Sequence, residues 1–172
     1  EEEETSLKEV LKAFDMMSGR RFTHASPTLF NSGGIQSNAL SCFLLGVHDS
    51  IDGIYKAIGD CGKISKFAGG IGVHINNIRG NNATIRSIGG RSSGIVPMLR
   101  VFEATALHVN QAGRRNGSFA IYISPWHPDI LEFLRLKRHQ GEEQERAQTL
   151  HYGLWVSDLF MRAVKNNADW HL

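Results

Sequence analysis

The chain has 172 residues, 41% of them hydrophobic and 21% charged, which is enough for one domain with a real core. With 19 basic and 17 acidic residues the net charge is +2, too balanced to argue for a nucleic-acid or membrane partner from charge alone. No window holds the roughly 20 apolar residues of a membrane span, and the leading run Glu1–Glu4 is the opposite of a secretory signal.

Two cysteines make no disulfide framework, so a reducing cytoplasm is the default compartment. The glycosylation patterns at Asn82-Ala83-Thr84 and Asn116-Gly117-Ser118 are chance matches on that view.

In chain order, Leu7, Val10, Leu11, Phe14 and Met17 recur at helical spacing, with Thr5 or Ser6 as cap and Gly19 as stop. Residues 21–41 read as irregular, with Pro27 and Gly33-Gly34 as breakers. Cys42–Val47 is a short apolar run that predicts a strand buried on both faces. Asp49 or Ser50 caps a second helix, striped by Ile51, Ile54, Tyr55, Ile58, Cys61 and Ile64 and ended by Gly69-Gly70. Ile71–Ile75 predicts a second buried strand, and Asn76–Gly90 a loop rich in Asn, Gly and Arg.

Pro97 fits the first turn of a third helix that is apolar almost all round and so predicted to be covered on more than one side. A core position and packing against a partner chain explain it equally well. Gln111–Gly117 is a basic, glycine-containing loop, and Phe119–Ile123 a third strand. Pro125-Trp126-His127-Pro128-Asp129 turns into a helix near Asp129, Arg138–Gln148 is charged and exposed, Leu150–Val156 is a fourth strand, and a short helix follows near Asp158–Val164. Strands alternating with helices predict an α/β architecture with parallel pairing, in one domain spanning residues 1–172 with an N-terminal helix over 1–20.

A serine-flanked thiol at the mouth of an apolar strand, as in Ser41-Cys42-Phe43-Leu44-Leu45, can face a polar substrate while the core holds its backbone. Cys61 sits at an apolar helix position and reads as a small hydrophobe. Gly69-Gly70-Ile71-Gly72 follows a helix and precedes a strand, the reverse of a dinucleotide fingerprint, and no Walker A sequence is present. The eight histidines show no ligand spacing within a helix; His127 reads as packing or capping a turn, and no metal site is predicted.

Three segments together, Ala25-Ser26-Pro27-Thr28-Leu29-Phe30-Asn31, the Cys42 strand, and Lys66-Phe67-Ala68-Gly69-Gly70-Ile71-Gly72, resemble the large (alpha) subunit of ribonucleotide reductase. The resemblance runs from about Arg21 onward. It implies about half of a ten-stranded α/β barrel, with helices over 50–68 and 97–110 forming a homodimer interface.

Glu142–Ala147 and Leu154–Met161 favour class I, whose radical comes from a small subunit, over the cobalamin-dependent class II, whose cofactor is adenosylcobalamin. The resemblance further implies that Cys42 is one of the two reducing thiols, regenerated by thioredoxin or glutaredoxin. Ser26 and Ser41 would contact substrate, as would Arg115, with Arg114 as the competing candidate.

For a deoxynucleoside triphosphate or ATP effector, with magnesium, the resemblance points to Asp49, Ser50 and Ile51 at ribose and base. Lys66 and Arg79 would meet the phosphates, and Arg86 and Ser87 lie on a first specificity loop. Gln111, Gly113, Arg114 and Gly117 fall on a second loop, whose glycines suit two conformations.

The radical cysteine, its carboxylate partner, the second reducing thiol, an N-terminal ATP-cone and a C-terminal redox tail have no counterpart in these residues. The resemblance therefore implies a segment inactive without the rest of the subunit. The last residues, Asp169-Trp170-His171-Leu172, lack a polar tail and fit a fold that continues or pairs with a second polypeptide. Rival expectations are a nucleotide-binding regulatory module without chemistry and a fragment that does not fold stably alone.

Overall fold

Strand residues alternate between more and less buried positions, and the sheet they build has one packed and one open face. The computed structural model describes residues 2–34, 39–109 and 118–172. The chain divides into two units, Glu1–Ser41 and Cys42–Leu172.

In the first unit, α1 spans Glu2–Ser18, so Thr5 and Ser6 lie inside the helix rather than capping it. Arg20, at φ 57°, ends it in the left-handed region, with the Gly19 N–H donating to the Asp15 carbonyl at 2.9 Å. The segment predicted to be irregular contains a second helix, α2 (Ser26–Asn31). Pro27 starts this helix instead of breaking one, because the first turn leaves its N–H positions unpaired anyway. The Thr28 hydroxyl donates to the Ala39 carbonyl at 2.8 Å.

In the second unit four strands lie in the order β1-β2-β5-β6: β1 Cys42–Gly46, β2 Gly70–His74, β5 Ser118–Ile123 and β6 His151–Leu154, every neighbour parallel. Parallel neighbours need long crossovers. Helix α3 (Ile51–Lys66) joins β1 to β2, and α5 (Ile130–Arg135) lies between β5 and β6. The β2–β5 connection carries a hairpin, β3 (Asn81–Ile85) with β4 (Gly90–Ser93), and then α4 (Ile95–His108). Helix α6 (Asp158–Lys165) follows β6, capped by the Ser157 hydroxyl, which accepts the Phe160 N–H at 3.2 Å.

Register explains the two faces. Leu45, Val73 and Ile121 stand abreast, and with Ile71, Phe119 and Ile123 they pack on Ile58 and Cys61 of α3 and Leu99 and Phe102 of α4. On the other face Cys42, Gly70 and Ser118 stand abreast, then Leu44, Gly72 and Ala120, then Gly46, His74 and Tyr122.

The prediction that β1 is buried on both faces is therefore corrected. It is one of two edge strands, and Leu44 is 87% exposed on the side that no helix covers. The predicted loop Asn76–Gly90 is likewise corrected to include β3, whose polar residues carry no alternating apolar signal. Helix α4 buries Ile95, Met98, Leu99, Phe102 and Ala106 against the core, while Val101 and Leu107 on its other side are exposed.

Ser50, not Asp49, caps α3, its hydroxyl accepting the Gly53 N–H at 3.0 Å. The other end differs from a glycine stop. Ala68 takes the left-handed position (φ 62°), donating to the Ser65 carbonyl, and Gly69 donates to Ile64. Glycine is required one residue later than usual because a Cβ on Gly69 would lie 2.7 Å from Ile64 Cγ2 and 3.0 Å from the Phe43 ring.

Candidate functional site

The helix-side cavity is built where β1 hands over to α3. Its volume is about 600 Å³, and it is lined by Asp49, Ser50, Ile51, Ile54, Tyr55 and Ile58 from the start of α3, Ile85, Ser87, Arg91, Ser92 and Ser93 from the hairpin, Ile78 and Arg79 before it, and Gly94, Pro97, Met98 and Val101 around α4. Apolar walls with a few polar groups at one end match the usual make-up of a small-molecule pocket.

Its polar end is an ion pair. Arg79 Nε donates to Asp49 Oδ2 at 2.8 Å, while the same guanidinium reaches the Asp49 and Thr84 carbonyls at 3.4 Å. Both side chains are about one-third exposed, so ligand can reach the pair. A second cleft of about 480 Å³ shares Asp49, Arg79 and Ser87 and adds Ala83, Thr84 and Arg86.

Five of the seven effector-site residues predicted from sequence (Asp49, Ser50, Ile51, Arg79 and Ser87) thus line the main cavity, and Arg86 lines the adjoining cleft. Lys66 is not brought there. It ends α3, about 22 Å along the axis from Ile51 at 1.5 Å per residue, and lines a separate cleft with Gly59, Gly62, Lys63, His108 and Val109. Gln111, Gly113, Arg114, Arg115 and Gly117 lie outside the described residues.

Arg91, Ser92 and Ser93 were missed by the sequence reasoning. Only their polarity next to Gly94 signalled them, and their place follows from the hairpin, where Arg91 donates to the Asn82 carbonyl at 3.1 Å.

The open face of the sheet holds the second feature, a concavity of about 860 Å³. Cys42 lines it and is exposed, together with Leu44, Gly70, Gly72, His74, Ser118, Ala120, Tyr122 and Trp155. Glycine, serine and alanine at alternate positions leave room over the strands. Ser41 immediately precedes β1, and Ser26 opens α2 in the first unit, where it is exposed.

Cys61 contrasts with Cys42. It is fully buried, and burial, helped by the nearby Asp60 carboxylate, pushes its thiol up to about 12. A thiol so held stays neutral and unreactive. Tyr152 is also raised, by burial first and then by Glu103, and its hydroxyl donates to the Ala147 carbonyl at 2.6 Å.

Among the described residues no group of three or more His, Cys, Asp or Glu is placed to hold a metal ion, and no helix is long and apolar enough to cross a membrane.

A parallel α/β sheet, helices on one face and an open concave face on the other, defines a segment of barrel type. A family model described as "Ribonucleotide reductase, barrel domain" matches residues 40–172, and the chain belongs to that family.

Among curated proteins it is 51% identical over 168 residues to the "Ribonucleoside-diphosphate reductase large subunit" of Arabidopsis thaliana, covering 96% of this chain and 21% of that protein. It is 52% identical to the protein of the same name from Plasmodium falciparum (isolate Dd2), again over 96% of this chain and 21% of the relative. It is 46% identical to "Ribonucleoside-diphosphate reductase large chain 2" of Saccharomyces cerevisiae, over 98% of this chain and 20% of the relative. The chain thus spans about a fifth of the length of these relatives.

Proposed function

We propose that the intact protein reduces ribonucleoside diphosphates to deoxyribonucleotides, and that this segment supplies one reducing thiol, part of the substrate site and the effector cavity. The observation that carries the reading is the position of Cys42, exposed on the open face of a sheet whose family is that of the reductase barrel. Replacing a 2′-hydroxyl by hydrogen releases water and needs two electrons. Cys42 and a second thiol, supplied elsewhere in the protein, give them by closing a disulfide. A small subunit provides the radical that starts the reaction, and thioredoxin or glutaredoxin reopens the disulfide. Ser26, Ser41 and Arg115, with Arg114 as the alternative, hold the substrate nucleotide. The cytoplasm suits this thiol chemistry.

The helix-side cavity takes a deoxynucleoside triphosphate or ATP. Asp49, Ser50 and Ile51 meet ribose and base, Arg79, Arg86 and Ser87 the phosphate side, and the loop with Gln111, Gly113, Arg114 and Gly117 carries the message to the substrate. Arg pairs well with phosphate oxygens. Magnesium fits as an ion held mainly by the phosphates, because one ion-paired carboxylate, Asp49, is the cavity's only acidic wall residue among the described residues.

Lys66 belongs to this site in a dimer. Two copies of α3 packed antiparallel about a two-fold axis bring Lys66 of the partner subunit toward Asp49 and Ser50. Ile51 and Tyr55 on α3 and Leu107 on α4, all exposed, supply apolar surface for that contact.

The test is Cys42→Ser in the intact protein with its small subunit. Reduction should fall to background while triphosphate binding stays within about twofold, the scatter of an affinity measurement near 0.4 kcal/mol. Unchanged turnover removes Cys42 from the mechanism. Triphosphate binding without any reduction by the unaltered protein favours the purely regulatory module, and reduction that depends on adenosylcobalamin favours the class II alternative.

A further inference from the structure

We propose that Asp129, with His127, is a positioning clasp that fixes the hairpin wall of the effector cavity against its α4 wall; this rests on the nucleotide role given to that cavity above. Neither residue lines the cavity. Both are buried, Asp129 at 4% exposure and His127 at 2%.

The Asp129 carboxylate divides its two oxygens between the two walls. Oδ1 accepts the Asn81 N–H at 2.7 Å, at the first residue of β3. Oδ2 accepts the Ile95 N–H at 3.0 Å, at the first residue of α4. Asp129 occupies the N-cap position of α5 but makes no side-chain cap bond there. Its acceptors serve other elements instead. Helix α4 needs one: Gly94 at its N-cap has no side chain, and Asp129 stands in for it from 34 residues away.

Two glycines record the same fit. A Cβ on Gly94, which sits at φ 77°, would lie 2.5 Å from Asp129 Oδ2, and one on Gly80 would lie 2.9 Å from Oδ1. The carboxylate occupies the side-chain space of both positions.

His127 anchors the clasp. The Asp129 N–H donates to His127 Nδ1 at 3.0 Å, and His127 Nε2 lies 2.7 Å from the Ile78 carbonyl. A backbone N–H only donates and a carbonyl only accepts, so the proton sits on Nε2 and Nδ1 is bare. The ring is thereby tied to the residue immediately before Arg79. One turn, His127-Pro128-Asp129, thus holds the approach to Arg79, the start of the hairpin and the start of α4. A ligand clamped between hairpin and helix gains affinity when the gap is set in advance.

The experiment uses the intact protein carrying Asp129→Asn, which keeps the side-chain shape but turns one acceptor into a donor facing an N–H. Triphosphate affinity is measured by calorimetry, and amide hydrogen exchange is followed at Asn81 and Ile95. The expected result is binding about tenfold weaker, or about 1.4 kcal/mol, with faster exchange at those two amides. Saturating triphosphate should slow exchange at these two amides more than at the buried amides of β5 in the unaltered protein, an excess that general stabilisation by a bound ligand would not give. Alkylation of Cys42 on the open face should be unchanged.

Faster exchange with unaltered affinity, or amides that the ligand slows no more than those of β5, overturns the clasp. An unaltered protein that binds no triphosphate instead sinks the nucleotide role of the cavity. If Asp129→Asn does not fold, His127→Gln, whose amide NH2 can donate to Ile78 but which has no acceptor at the ring Nδ1 position, is read by the same affinity criterion, and unchanged binding overturns the proposal.

Discussion

Asp49 has two candidate jobs, holding Arg79 and accepting a hydroxyl from the sugar, and one substitution separates them. Asp49→Asn removes the charge and keeps the size. The ion pair at 2.8 Å is about one-third exposed on both sides, so its loss should cost stability only about 1 kcal/mol. A hydroxyl bonded to a carboxylate is worth about 1.5–3 kcal/mol, and partial exposure places this one at the low end, or about tenfold in affinity.

The assay compares a deoxynucleoside triphosphate with its 2′,3′-dideoxy analogue, which lacks the remaining ribose hydroxyl. The unaltered protein should prefer the deoxy ligand about tenfold. In Asp49→Asn, whose amide oxygen still accepts the hydroxyl but carries no charge, the deoxy ligand should weaken until the preference falls to about threefold. The dideoxy ligand should hold or tighten slightly, because Arg79 no longer has a competing carboxylate. A preference of the same size in both proteins would refute the sugar contact and leave Asp49 as a mere tether for Arg79.

The buried thiol makes a pH prediction. Cys61 is raised from 9.0 to about 12, so its folded state favours the neutral form. That contribution is complete below pH 9 and is lost as pH climbs toward 12, with an upper bound of about 4 kcal/mol for the whole shift. Urea unfolding at pH 8 and 10.5 should show a drop about 2 kcal/mol larger in the unaltered protein than in Cys61→Ala. Tyr152 titrates in the same direction, so only the difference between the two proteins reports the thiol, and equal drops would contradict the burial argument. Iodoacetamide should modify Cys42 and spare Cys61 until the protein unfolds. Leu107→Glu, on the exposed side of α4, should shift sedimentation from dimer toward monomer while leaving unfolding within about 0.5 kcal/mol; an unchanged dimer would move the interface elsewhere.

Local chemistry made much of this protein legible in its sequence. The short apolar runs Ile71–Ile75 and Phe119–Ile123 and the stripe of α3 each depend on residues within a turn or a strand of one another, so their pattern survives in one dimension. The Cys42 segment was recognisable for the same reason.

What the sequence left open depends on partners far along the chain. Whether an apolar strand is covered on one face or two is decided by where the helices pack, and Leu44 lies on the uncovered side. The polar strand β3 has no hydrophobic period of its own, and is fixed by Arg79 reaching back 30 residues to Asp49 and by Asp129 reaching back 48 residues to Asn81. A carboxylate that bonds two backbone N–H groups on two other elements looks, in sequence, like an ordinary helix cap. Only the folded chain brings those donors within 3.0 Å, because a hydrogen bond is selected by distance and direction in space and leaves no spacing rule along the chain.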